Sequence, residues 1–192
     1  MIAKDFNELY DNRTCIPLER IGFIKFGANL FFQRDNVYLA LIRNSFRGER
    51  VARFLLCLRH SFTRDINDNT YNLLENNPNS YPFRFKPLSL NNTYLKSWHY
   101  ETFSPNDWHY DKINYGDEKE DKDIIENQLS ELAYKIEEYY LDIINMLSPE
   151  SALFQIKKFN SGWKTESDWI EDYNKFVINY DKKIINLNKR KK

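Results

Sequence analysis

Apolar and polar positions alternate with two different periods along this chain. The change of period divides it into a part that reads as sheet and a part that reads as helix. Near the start, Phe6, Leu9 and Tyr10 fit one face of a helix within residues 3–21. Pro17 lacks an amide proton, so a break or fresh start is predicted near 14–17. Gly22 then suits the position after a helix end, where φ turns positive. Three strand-like runs follow: NLFFQRD at 29–35, NVYLALIRNSF at 36–46 and VARFLLCLRHSF at 51–62. Asp35 and Asn36 tolerate left-handed backbone and predict a tight turn between the first two. In the third run Ala52, Phe54, Leu56, Leu58 and His60 point one way, and Arg53, Leu55, Cys57 and Arg59 the other. An antiparallel meander is the expected result.

Residues 63–93 are rich in Asn, Asp and Pro, the chemistry of turns. Within them Tyr81, Phe83 and Phe85 alternate between Pro82 and Pro87, which favours an edge strand or an extended loop. Further strands are predicted at 93–103 and 107–115. The period then lengthens. Ile125, Leu129, Leu132, Ile136, Tyr139, Ile143 and Leu147 recur at three- and four-residue steps and predict a helix over 119–147. Ser148-Pro149 suits the cap and first position of another helix. Trp169, Tyr173, Phe176, Val177, Tyr180 and Ile184 form the stripe of a last one. The class is therefore α+β. Residues 1–150 are expected to form a sheet of four to six strands covered by an N-terminal helix and a long helix. Residues 151–192 are expected to add a helical C-terminal extension packed on that domain.

Composition narrows the function classes. Hydrophobic residues make up 42% of 192, enough for a core. Five glycines argue against a glycine-rich phosphate loop. Cys15 and Cys57 stand far apart and form no Cys-x-x-Cys pair, so both are expected to be free core thiols in a reducing compartment. The first residues carry Asp5, Glu8 and Asp11 and no apolar leader. The longest uncharged apolar run, FLLCL, is far short of the roughly 20 residues a membrane span needs. A cytoplasmic protein with no membrane partner is expected. Net charge is zero, but residues 1–100 hold 14 basic against 9 acidic side chains and the remainder 14 against 19. Two readings follow for Arg43, Arg47, Arg50, Arg53, Arg59 and Arg64. They present a basic face to an anionic partner, or they pair with the acidic helix at 117–142 of the same molecule, which is the favoured reading.

The order of features carries a resemblance. A helix ends at Ile21-Gly22-Phe23, and an aromatic strand follows with Leu30-Phe31-Phe32-Gln33-Arg34. Next come VYLALIRNSF and VARFLLCLRHSF, then a tryptophan-bearing segment, then a long helix ending near a proline. Over residues 5–150 this resembles a family of small bacterial proteins catalogued as domain of unknown function 4304. Leu58-Arg59-His60 stands where that family often ends its third strand in an Asn-Leu-Gly-like sequence. The resemblance implies an α+β fold and carries no activity.

Three constellations offer chemistry. His99 and His109 lie on neighbouring candidate strands with Glu101 and Asp111 close in sequence, enough for Zn²⁺ or Fe²⁺. The favoured alternative is a pair of ordinary sheet histidines and no cofactor. Cys57 and His60 are three apart in a strand and so face opposite ways, which excludes a direct nucleophile–base pair. Aromatics crowd residues 81–110, either as a second core or as a contact surface of Trp98, Tyr100 and Trp108 beside Arg43, Arg53 and Arg59. The leading functional expectation is a non-catalytic protein-binding module, such as a bacterial immunity protein that neutralises a toxin. A nucleic-acid-binding protein using the basic strand face, or a metal-dependent enzyme around His99 and His109, are the alternatives.

Overall fold

The computed structural model describes residues 1–46, 48–67, 69, 73–100, 110–116, 122–159 and 162–189, with side chains as far as 179. The alternating runs form the sheet. Strands β1 (Ile24–Phe26), β2 (Asn29–Arg34), β3 (Val37–Asn44) and β4 (Val51–His60) follow one another as antiparallel neighbours. Two-residue turns link the first three, with Gly27 and Asp35 in left-handed backbone at φ 62° and 50°. Strands β5 (Phe83–Phe85) and β6 (Asp111–Asn114) share the far edge of β4. The first pairs with Leu56–Leu58 and the second with Val51–Phe54. Pro82 and Pro87 hold β5 to three residues at an edge, the place proline permits.

Six consecutive residues of β3, Val37 to Ile42, are buried, so both faces of the sheet are covered at its centre. One face carries Leu39, Leu41, Phe54, Leu56, Leu58, Phe83 and Ile113 against the helices. The other carries Phe31, Ala40, Ile42, Leu55 and Cys57 against Tyr81, Leu73 and Tyr110.

Helices α1 (Ala3–Tyr10) and α2 (Ile16–Arg20) are joined without interruption by a π-helical turn, Asp11–Cys15. Of the break or fresh start expected near 14–17, the chain takes the second: a new α-helical segment begins at Ile16 and the helical path is not broken. The widened turn bonds the Ile16 amide to the Asp11 carbonyl, five residues back, and places Pro17 in the first turn of the next segment. Gly22 ends it as expected. At φ 102° its amide bonds Glu19 O, and the Phe23 amide reaches back to Leu18 O, with both Leu18 and Phe23 buried.

Of the strand expected at 93–103, the described part forms a short helix, α3 (Asn92–Ser97), followed by irregular chain to 100, and 101–103 lies outside the described residues. The Asn91 side chain accepts the Tyr94 amide, and that cap outweighs the apolar alternation over so few residues. Of the run at 107–115 only 111–114 is strand, and 107–109 lies outside the described residues. Strand β1 had no period to reveal it.

Helix α4 (Lys122–Met146) buries Ile125, Leu129, Leu132, Ile136 and Ile143, the stripe read from the sequence. Thr14 Oγ1 donates to the Leu129 carbonyl at 2.8 Å and fixes α4 to the π turn. Helices α5 (Pro149–Phe159) and α6 (Lys164–Lys189) complete the chain, with Ser148 Oγ accepting the Ser151 amide as the cap. Trp169 and Tyr173 of α6 belong to the same core cluster as the sheet. Tyr180 and Ile184 lie beyond the described side chains. No helix among the described residues is long and apolar enough to cross a membrane.

Candidate interaction surface

Four of the six candidate arginines are engaged within the molecule. Arg43 Nη2 donates to Asn7 Oδ1 at 2.6 Å, and its guanidinium lies 4.6 Å from the centre of the Tyr10 ring. Arg53 Nη2 donates to Glu49 at 2.6 Å and covers the Phe46 ring. Arg59 is fully buried between the Tyr38 and Tyr81 rings on the sheet face away from the helices. Arg64 meets Asp172 at 2.6 Å, Glu171 at 3.0 Å and Asp168 at 3.8 Å. Arg50 is exposed, and Arg47 lies outside the described residues. Pairing of these arginines with the helix at 117–142 was the favoured expectation, and the structure corrects it. The acidic partner of Arg64 is α6, whose Asp168, Glu171 and Asp172 lie at three- and four-residue steps on one face. An ion pair to α4 runs instead from Arg13 to Glu126.

The Arg64 clasp fixes α6 on the chain leaving β4. The Arg64 amide also donates to Asp172 at 2.9 Å, and Trp169 Nε1 donates to the Arg64 carbonyl at 3.0 Å. Beneath the clasp, the Tyr173 hydroxyl and His60 Nδ1 share a hydrogen bond of 2.6 Å. Nε2 of the same ring faces the Leu147 carbonyl without a hydrogen bond of good geometry. Burial pushes this imidazole down to about 4, against a smaller upward pull from that carbonyl, so His60 is neutral. Cys57 and His60 do occupy opposite faces, Cys57 in the cluster with Tyr81 and His60 against Tyr173. Burial pushes both the Cys57 and Cys15 thiols up to about 12, so neither is a nucleophile at neutral pH. Desolvation pushes Arg84 down to about 10 while its guanidinium donates to the carbonyls of Pro78 and Tyr81.

The aromatic cluster at 81–110 divides. Trp98 stacks on Phe85 at 4.7 Å and donates Nε1 to the Arg84 carbonyl, so it is a half-buried strut. Tyr100 is buried, and its hydroxyl donates to Glu166 Oε1 at 2.8 Å. That bond raises the phenol further above its ordinary value, after burial. Trp108 and His109 lie outside the described residues. His99 is exposed, its Nδ1 near the Ser97 carbonyl and its ring 5.3 Å from Phe159.

Part of the exposed aromatic surface lies where α5 meets α6. Phe154 is 60% exposed. Lys158 Nζ sits 5.7 Å from its ring centre and 4.9 Å from that of Phe159. Trp163, 42% exposed, begins the same corner, its amide donating to the Glu166 that holds Tyr100. The ring quadrupole attracts the ammonium electrostatically and holds the lysine over this corner. The sequence did carry a signal for this surface. Ala152 and Ile156 define the buried stripe of α5, and Phe154 falls off it, four residues before Lys158. No family model, curated protein or solved structure matches this chain.

Proposed function

We propose that this chain is a protein-binding module that acts through the α5–α6 corner and catalyses no reaction itself. The observation that carries the reading is the exposed Phe154 with Lys158 over its ring, beside the half-buried Phe159 and the exposed His99. Such composition favours a protein partner presenting apolar and acidic side chains, because the rings supply buried area and the lysine selects the charge. A bacterial immunity protein that occupies a toxin is the biological form we favour. Nucleic-acid binding is the weaker alternative, because Arg43, Arg53, Arg59 and Arg64 make contacts inside the fold.

The test is capture of a stoichiometric partner from the native cell by the wild-type chain and by a Phe154→Asp, Lys158→Glu double variant. Both positions are exposed, so the variant keeps its fold, and circular dichroism checks that it does. The reading predicts a partner on the wild type that the double variant loses. Equal capture by both, or none by either, would overturn it.

A further inference from the structure

The outer face of α4 mixes exposed apolar side chains with acids that have no counter-charge. The helix holds six acids against two lysines. Its buried stripe packs into the core with the sheet. On the opposite side Glu131, Tyr134, Glu138 and Leu141 follow one another at three- and four-residue steps, flanked by Glu137 and Asp142. All six are exposed, Tyr134 at 59% and Leu141 at 36%. Among the described residues no ion pair reaches Glu131, Glu137, Glu138 or Asp142. Glu138 and Asp142 stand one turn apart, so their like charges repel. The Tyr134 hydroxyl is bonded to Glu138 and leaves the ring on the surface.

A tyrosine and a leucine among unpaired acids suit a partner that brings cations and apolar carbon together. The acids select its charge, and the ring supplies contact area at little cost in side-chain entropy. This chain contains a segment of that kind. Residues 182–192 carry six basic side chains and no acid, with Ile184, Ile185 and Leu187 among them. The backbone there is helical as far as Lys189, where α6 ends. Helix α5 packs on α6 but has 11 residues against 26. At about 1.5 Å per residue, α6 is longer than α5 by roughly 22 Å. A continuous helix does not bend back, which favours a second copy as the acceptor of its end.

We propose that the basic end of α6 from one copy of this chain docks on the outer face of α4 of another. The contact joins two different surfaces. Two copies therefore either exchange ends in a closed pair or continue head to tail. The α5–α6 corner is not part of this contact, so the two readings stand or fall separately.

Sedimentation of the full chain tests the pairing. At about 50 mM salt the wild type should associate as its concentration rises, and at about 500 mM, where charges are screened, it should be a monomer. Glu131→Lys with Glu138→Lys reverses the charge of the face. Lys182→Glu with Lys183→Glu reverses that of the segment. Each double variant alone should associate at least about tenfold more weakly than the wild type. An equimolar mixture of the two should associate again, because each reversed surface then meets its opposite. Circular dichroism establishes that both variants are folded before they are mixed. A wild type that stays monomeric at low salt would overturn the proposal, whatever the variants do. So would variants that associate as the wild type does, or a mixture no more associated than its components. Pairing of the segment with α4 of its own chain would give the first of these results.

Discussion

Acidification should loosen the seat of α6 through one imidazole. His60 is 1% exposed and lies between Phe62, Tyr173 and the Leu147 carbonyl. Its ring takes up a proton near 4, against an ordinary value of 6.5. The folded value is depressed, so as pH falls below about 6.5 the unfolded chain gains the proton first. Stability is fully present above that pH, declines as the pH falls toward about 4, and levels off below it. A difference of that size corresponds to about 3 kcal/mol, a large share of the 5–15 kcal/mol typical of a domain (roughly, for any fold). Urea unfolding at a series of pH values, on the wild type and on His60→Gln, isolates this group, because every carboxylate titrates in both. The variant starts less stable, since Gln fits the aromatic seat poorly. Its stability should fall less steeply between about pH 6.5 and about pH 4, by about 3 kcal/mol in all. Parallel curves for the two proteins would refute the argument, whatever their offset. Ring-proton shifts that titrate near the ordinary histidine value in the folded wild type would refute it too.

Other outcomes follow from the same packing. Asp172→Ala removes three contacts to the Arg64 guanidinium and one to its amide, and should cost about 2–3 kcal/mol in chemical unfolding. Glu171→Ala, at a half-exposed position on the same arginine, should cost at most about 1 kcal/mol, and an equal cost for both would refute the ranking. Trp169→Ala empties a site that is 2% exposed and loses the bond to the Arg64 carbonyl, so about 3–5 kcal/mol should be lost, read as a lower urea midpoint. Cys15 and Cys57 should resist alkylation at about pH 8 until the chain is unfolded; prompt labelling of native protein would show that neither burial nor the raised pKa protects them.

Elements with a long pattern were legible in the chain alone. Six apolar positions of α4, Ile125 to Ile143, recur over five turns, β4 alternates over ten residues and β3 is a continuous apolar run, so no local interaction competes with burial. Gly22 was legible because one residue type suits its positive φ. Short segments were decided elsewhere. At 92–97 a single Asn91 cap turned an alternating run into helix, and at 11–15 a widened turn absorbed Pro17. Both are choices of about a kcal/mol that a pattern does not weigh. Charge was legible as an imbalance between the two halves but not as a pairing. Whether Arg64 meets α4 or α6 depends on which helix lies across the end of β4, and that is settled by Trp169 and Tyr173 entering the core.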